Sequence, residues 1–295
     1  MGLQTIMVAT DLSERSDRAL RRATLLAREF DAGLILVHVV DDDQPQRIAE
    51  RERADADALL RDQAAALRDR DGVACDVRVV LADPFLGIVE SARAIQPDLL
   101  LIGPHRRQVL RDVFIGTTAE RTIHSVDCPV LMANAASAGP YRHLLLTTDL
   151  SESSGRSLER VAQLRAGWHA HATLLHLYEP PPEWGTVGDD PSGRNEPADA
   201  ARADLQAFVD GLEAGGVERV VRAVGSSPAH GVLRAADDLE ADLIMVGTRG
   251  SGGLARFLIG SVAEEVLRRA ERDVLAVPPF RVVSRPRGVR TSSRP

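Results

Sequence analysis

Asp242 to Pro278 reads DLIMVGTRGSGGLARFLIGSVAEEVLRRAERDVLAVP. It opens on a continuous apolar run, Leu243-Ile244-Met245-Val246, too short for a helix and without polar alternation. Such a run suits a strand buried on both faces of a parallel sheet. A loop carrying Gly247, Gly250, Gly252 and Gly253 follows. Gly260-Ser261 leads into an amphipathic helix over Val262–Ala270, with Val262, Val266 and Leu267 on one side, and a short strand, Val274–Val277, ends at Pro278. Strand, glycine loop and helix start in this order suit an anion. Glycines let backbone N–H groups approach phosphates closely, and the N–H groups of the first helical turn point at them. Taken alone the glycines fit an ordinary turn equally well. The spacing Gly247-x2-Gly250-x9-Gly260-Ser261, between a buried strand and a helix start, is far more specific.

Working outward, the chain repeats itself. Asp-Leu-Ser-Glu occurs at Asp11 and again at Asp149, 138 residues on (149 − 11), and His38 and His176 share that separation. Gly103 and Gly247, like Gly116 and Gly260, are 144 apart (247 − 103). This is an internal duplication with a few residues inserted in the second copy. The Pro-, Gly- and Asp-rich segment Glu179–Pro197 is the expected insertion and reads as a long loop.

Each copy reads β-α-β-α-β-α-β-α-β. In the first, strands are expected over Leu3–Thr10, Leu34–Val40, Val73–Leu81, Leu99–Ile102 and Pro129–Ala133. Helices are expected over Ser16–Phe30, ended by Gly33, over Arg47–Asp69 with Leu59, Leu60, Ala64 and Leu67 inward, over Pro84–Ile95, and over Thr117–Ser125. Right-handed crossovers then give an α/β fold of two tandem doubly wound five-stranded parallel sheets, Rossmann-like, each of order 3-2-1-4-5. In that order the first and fourth strands are neighbours at the topological switch point. The Asp-Leu-Ser loop and the glycine loop therefore flank one crevice. The expected domains are 1–134 and 141–280, joined by a small polar linker, with a basic disordered tail over 281–295.

Composition bounds the function. Aromatics are 3% of the chain against 44% hydrophobic residues, so the core must be built from Leu, Val, Ile and Ala. A net charge of −7 argues against general affinity for nucleic acid or anionic membranes. All 36 basic residues are arginine, which excludes a Walker A lysine or a Schiff-base lysine. Cys75 and Cys128 lack metal-site or CxxC spacing and read as small buried hydrophobes. No apolar run approaches the ~20 residues that span a bilayer, and no signal peptide is legible, so a cytoplasmic location is expected.

The spacing Gly247-x2-Gly250-x9-Gly260-Ser261, with Thr148-Asp149-Leu150-Ser151, resembles the signature of the universal stress protein family, in its tandem two-domain type. The resemblance covers both halves and implies ATP as the ligand, with Mg as its companion ion. On that resemblance Thr148 and Asp149 lie at the ribose or, through a metal, at the phosphates, and the backbone near Leu177 reads the adenine edge. Gly247, Arg249, Gly250, Gly260, Ser261 and Val262 form the phosphate cradle. By themselves, Asp149 reads equally as a turn or capping residue and Ser261 as a helix N-cap. The first half offers a second candidate set, Asp11, Val39, Gly103, Arg106, Gly116 and Thr117, but Arg106 stands where the second half has Gly250, and Pro104 removes a donor. That loop reads as degenerate.

The resemblance implies an ATP-binding regulatory or stress-response module, not an enzyme beyond slow ATP hydrolysis. The alternative is a nucleotide-independent interaction scaffold of the same fold. A related adenylating enzyme would carry an SGGxD or HxGH loop, and neither occurs. The resemblance also implies that the fifth strands of the two halves pair antiparallel about a pseudo-twofold axis. The rival is a homodimer in which each edge pairs with another chain.

Overall fold

The computed structural model describes residues 2–104, 118–136, 139–165, 168–180, 196–212, 217–225, 227–248 and 260–279. In the first half, strands β1 (Thr5–Ala9), β2 (Gly33–Val40), β3 (Cys75–Leu81), β4 (Leu99–Ile102) and β5 (Val130–Met132) alternate with helices α1 (Ser16–Phe30), α2 (Gln46–Ala66), α3 (Pro84–Ile95) and α4 (Thr118–Ser125). In the second, β6 (His143–Thr148), β7 (His171–Tyr178), β8 (Glu218–Ala223), β9 (Leu243–Gly247) and β10 (Asp273–Val277) alternate with α5 (Glu152–Arg165), α6 (Glu196–Asp210), α7 (Pro228–Asp238) and α8 (Ser261–Arg269). All ten strands form one sheet of order β3-β2-β1-β4-β5-β10-β9-β6-β7-β8. Each half thus has the expected order 3-2-1-4-5.

The halves join through β5 and β10, which pair antiparallel with Leu275 opposite Leu131. Every other strand pair for which a register is given is parallel. The edge strand of each half is thereby covered by its duplicate within the same chain, which removes the exposed ladder that would invite aggregation. The two halves form an intramolecular pseudo-dimer.

The central strands are mostly apolar, and β4 (LLLI) and β10 (DVLAV) are buried at every residue, Asp273 included. One core layer lies between the sheet and α1, α2, α5 and α6, and a second lies on the face carrying α3, α4, α7 and α8. Both are built mainly from Leu, Val, Ile and Ala, as the composition requires.

A cluster at the junction ties α1, the linker and β10 together. Asp273, fully buried, accepts hydrogen bonds from Arg22 Nε at 2.9 Å, Tyr141 Oη at 2.6 Å and the Ala135 N–H at 2.9 Å. Arg22 also donates to the Gly139 carbonyl at 2.7 Å, and its guanidinium lies 4.0 Å from the Tyr141 ring centroid. Burial, and then the Asp273 carboxylate, hold the Tyr141 phenol protonated well above its usual range. Trp168 packs edge-on against both Phe30 and Tyr141.

Three local expectations are corrected. Helix α1 is ended by Asp31, which adopts a left-handed φ of 54° and donates its N–H to the Ala27 carbonyl; Gly33 is already the first residue of β2. Asp tolerates this conformation because its short polar side chain adds little steric strain. Leu59, expected inward on α2, is 46% exposed, because Ala56, Leu60 and Ala64 take the face against the sheet. The segment read as a loop over Glu179–Pro197 ends sooner, since α6 begins at Glu196; residues 181–195 lie outside the described residues.

Candidate functional site

The loop after the first strand is built identically in the two halves. Thr10 Oγ1 donates to Ser16 Oγ at 2.8 Å, and Thr148 Oγ1 and Ser154 Oγ are bonded at 2.9 Å. Each threonine oxygen also accepts the N–H of the leucine two residues on, Leu12 or Leu150, at 3.0 Å. Each serine donates in turn to the carbonyl of Ser13 or Ser151. This holds Leu12 and Leu150 at a φ of 60°, a left-handed conformation uncommon for a branched apolar residue. From the next strand, the Nδ1–H of His38 donates to the Thr10 carbonyl at 2.8 Å, and that of His176 to the Thr148 carbonyl at 3.2 Å. The two histidines therefore serve the loop's backbone.

Asp11 and Asp149 are exposed at the tip of this loop. Asp149 Oδ1 accepts the Ser151 N–H at 3.1 Å and Ser151 Oγ at 2.6 Å, an Asx turn. Asp11 makes the same turn with Ser13. Partial burial would raise the Asp11 carboxyl, but the hydrogen bonds from Ser13 outweigh it and hold the group below its usual range. Thr148 is buried in the network.

Across the switch point, β9 ends at Gly247, opposite Val277 of β10. Thr248 donates its N–H to the Val277 carbonyl at 3.0 Å, and its own carbonyl accepts the Gly260 N–H at 3.1 Å. The excursion between them thus leaves and returns through one hydrogen-bonded neck. Arg249 and Gly250, predicted at the site, lie outside the described residues, as do Arg106, Gly116 and Thr117 of the first half.

Gly260 is the N-cap of α8, with φ −59° and ψ 142° and no side-chain capping bond. The expected alternative of Ser261 as N-cap is corrected: Ser261 is the first helical residue and is exposed. The first internal bond of the helix is Glu264 N–H to Gly260 O at 3.0 Å, so the N–H groups of Ser261, Val262 and Ala263 precede it in the first turn. Val262 is 36% exposed beside them. A Cβ built on Gly260 would meet nothing within 4 Å among the described residues, which give no steric reason for glycine there. Among the described residues nothing fills the space above the helix start, and the chemistry of its N–H groups suits a phosphate.

Gly103 differs. A Cβ there would lie 3.1 Å from both Arg15 O and Ser16 Cα, so this glycine is needed to seat β4 against the start of α1.

The second strand's end is shaped by glycines the sequence reading passed over. A Cβ on Gly87 of α3 would lie 2.6 Å from Val39 Cγ1, and one on Gly231 of α7 would lie 3.0 Å from Leu177 Cδ1. These glycines let α3 and α7 close over the strand ends carrying Val39 and Leu177. Their separation of 144 (231 − 87) was a usable signal, as was the separation of 138 between Ser16 and Ser154 (154 − 16). Both helices also start alike: Asp83 accepts the Leu86 N–H at 3.0 Å and Ser227 the His230 N–H at 3.1 Å, each ahead of a proline.

The model of the universal stress protein family matches residues 2–134 and again 140–278. The chain belongs to the universal stress protein family. It carries two copies of the family's unit in tandem. A universal stress protein of Mycolicibacterium smegmatis is 23% identical over 93% of this chain and 97% of its own length. Universal stress protein E of Salmonella typhi is 23% identical over 94% of each chain. A universal stress protein of Mycobacterium tuberculosis is 31% identical over 141 residues, 46% of this chain and 96% of that relative. Among solved structures, a universal stress protein from Archaeoglobus fulgidus superposes with a TM-score of 0.72 at 18% identity, covering 94% of this chain and 98% of that one. This is a likeness of fold.

Among the described residues no helix is long and apolar enough to cross a membrane, and no group of three His, Cys, Asp or Glu side chains is arranged to hold a metal ion.

Proposed function

We propose that the chain binds ATP in its second half, as a regulatory or stress-response module that hydrolyses ATP slowly if at all. The observation that carries this reading is the open start of α8. Gly260 has room above it that no part of the described chain fills, and the first-turn N–H groups face that room beside the exposed Asp149 loop. In a doubly wound sheet, ligands lie in the crevice at this switch point. Phosphates would take the N–H groups of Ser261 and Val262, and the ribose would lie toward Thr148 and Asp149. The backbone beside Leu177 would edge the base. Mg, arriving with the nucleotide, would neutralise phosphate charge next to the Asp149 carboxylate. Family membership supports the ligand, and the absence of lysine from the sequence supports slow chemistry, since no ammonium is present to stabilise a transferring phosphoryl group.

The first half contributes no equivalent site on this reading. Its Arg106 stands where the second half has Gly250, and Pro104 stands where Thr248 donates its N–H to the Val277 carbonyl at the neck of the loop, so one ATP per chain is expected.

The test is calorimetry on the full chain and on Gly260→Val. A side chain at residue 260 meets no described atom within 4 Å and the backbone there has a negative φ, so the variant should fold as the wild type does, while its branched side chain fills the space above the helix start. ATP affinity should fall at least about ten-fold. Unchanged affinity in a folded Gly260→Val would remove the phosphate assignment, and a wild type with no affinity for ATP would remove the reading altogether.

A further inference from the structure

The two halves differ at the switch point in a way the duplication does not explain. In the first half β1 and β4 pair from Ile6↔Leu99 through Ala9↔Ile102, where both strands end. In the second half β6 and β9 pair only from Leu144↔Leu243 through Leu146↔Met245. Yet both strands run on: β6 stays paired to β7 through Thr148↔His176, and β9 stays paired to β10 through Gly247↔Val277. Thr148 and Gly247 lie beyond the last pair as Thr10 and Gly103 do in the first half, so the halves differ by one rung. Thr147 and Val246 are unpaired with each other where Ala9↔Ile102 is closed, and with the residue after each they form the arms of a fork between strands that remain otherwise bound.

At the base of the fork Thr147 Oγ1 donates to the Met245 carbonyl at 2.9 Å. A side-chain hydroxyl that bonds a backbone carbonyl competes with the ladder for that group. The residue equivalent to Thr147 in the first half is Ala9 (147 − 138), which has no hydroxyl, and there the ladder closes to the end.

We infer that Thr147 is a positioning residue that holds the β6–β9 fork open and so confines ligand binding to the second half. The inference deepens the proposed ATP site and rests on that reading for its ligand. The opened strand ends lie between the Asp149 loop and the neck formed by Thr248 and Gly260, so the fork sets the depth to which a nucleotide enters the crevice. Thr147 acts through backbone placement; its own hydroxyl is committed to Met245.

The test uses the full chain with Thr147→Ala, which installs the first half's residue, and Thr147→Ser, which keeps the hydroxyl. Two readouts are taken: backbone hydrogen exchange over residues 147–148 and 246–247 without ligand, and ATP affinity by calorimetry. In Thr147→Ala the ladder should extend, exchange over those residues should slow, and ATP affinity should fall, each by about ten-fold. Thr147→Ser should match the wild type in both. Unslowed exchange in Thr147→Ala overturns the inference whatever happens to affinity. Failure of Thr147→Ser to restore the wild-type values also overturns it, since the γ-methyl and not the hydroxyl would then be responsible. A wild type that binds no ATP would sink the proposed function, and the exchange comparison alone then decides whether Thr147 opens the fork.

Discussion

Asp273→Asn is the most informative single perturbation of the junction. The Asp273 carboxylate is fully buried and takes two donors on Oδ2, Arg22 Nε and Tyr141 Oη, and a third, the Ala135 N–H, on Oδ1. Asparagine keeps the shape but supplies one acceptor oxygen and turns an N–H₂ group toward existing donors. More important, Arg22 is only 5% exposed and loses the carboxylate it is bonded to, with Glu29 left as a negative charge it feels without a hydrogen bond between them. Removing one partner of a buried pair costs about 3–5 kcal/mol, because the remaining charge is uncompensated. Against a total stability on the order of 5–15 kcal/mol, that is a large fraction. Arg22 retains its bond to the Gly139 carbonyl and its stacking on Tyr141, which places the expected loss toward the lower end, about 3 kcal/mol. The assay is urea denaturation followed by the fluorescence of Trp168, whose ring lies 5.9 Å from that of Tyr141, with the second tryptophan removed as Trp184→Phe. The double variant Arg22→Met/Asp273→Asn should lose clearly less than the sum of the singles, by about 2 kcal/mol. A loss below about 1 kcal/mol in Asp273→Asn, or additivity within about 0.5 kcal/mol, would refute the reasoning.

Gly87→Ala should destabilise the protein by about 1–3 kcal/mol, because the new methyl meets the stiff Val39 side chain at 2.6 and 2.8 Å. Gly225→Ala, with nothing within 4 Å, should stay within about 0.5 kcal/mol, so equal effects in the two would count against the packing argument. Burial pushes the Cys75 thiol up to about 11 and the Cys128 thiol up to about 12, so a thiol reagent at pH 8 should label neither until the chain is denatured. The sign for stability follows: these folded values are raised from 9.0, so the contribution is full below about pH 9 and is lost as pH climbs toward the folded values. Cys128→Ala should flatten the alkaline limb of a stability–pH profile, and an unchanged limb would contradict the assignment.

The features legible in the sequence are those carried by periodicity and by duplication. Helices α1 and α3 begin and end where the pattern puts them, since Ser16, Pro84 and the apolar spacing all agree. Strand order and the antiparallel junction follow from crossover handedness and from the need to cover two apolar edges. The errors lie where one residue's backbone angle decides. Asp31 instead of Gly33 ends α1, and Gly260 instead of Ser261 caps α8, because composition says which residues tolerate a conformation and not which one adopts it. Leu59 and Leu60 are adjacent leucines on a helix whose charges alternate, and no periodicity decides which of them faces the sheet. The Arg22–Asp273 pair is 251 residues apart; the duplicate of Arg22, Arg160, also reaches across the junction and donates to the Asp127 carbonyl at 2.7 Å, but Asp273 is matched by Pro129, so the duplication does not announce the carboxylate. The fork depends on a threonine side chain bonding a neighbouring strand, a register effect invisible until two strands are set side by side.

Comparison of the halves separates what the loop after the first strand does for the fold from what it does for a ligand. Leu12 and Leu150 both sit at a φ of 60°, which costs a non-glycine residue on the order of 1 kcal/mol or more. Both are held there by the same threonine, serine and histidine bonds. The first half keeps this arrangement although its glycine loop carries Pro104 and Arg106 and its first and fourth strands are zipped to the end. The turn's own hydrogen-bond network is therefore the same in both halves, whatever the loop opposite it carries. It follows that the Asp-Leu-Ser turn cannot by itself distinguish a binding half from an empty one. On the proposed reading the differences that can do so lie on the other wall of the crevice and at its floor: Thr248 and Gly250 in place of Pro104 and Arg106, and the fork set by Thr147. Transplanting only the turn between halves should accordingly move no ligand, whereas transplanting the floor and the loop together should.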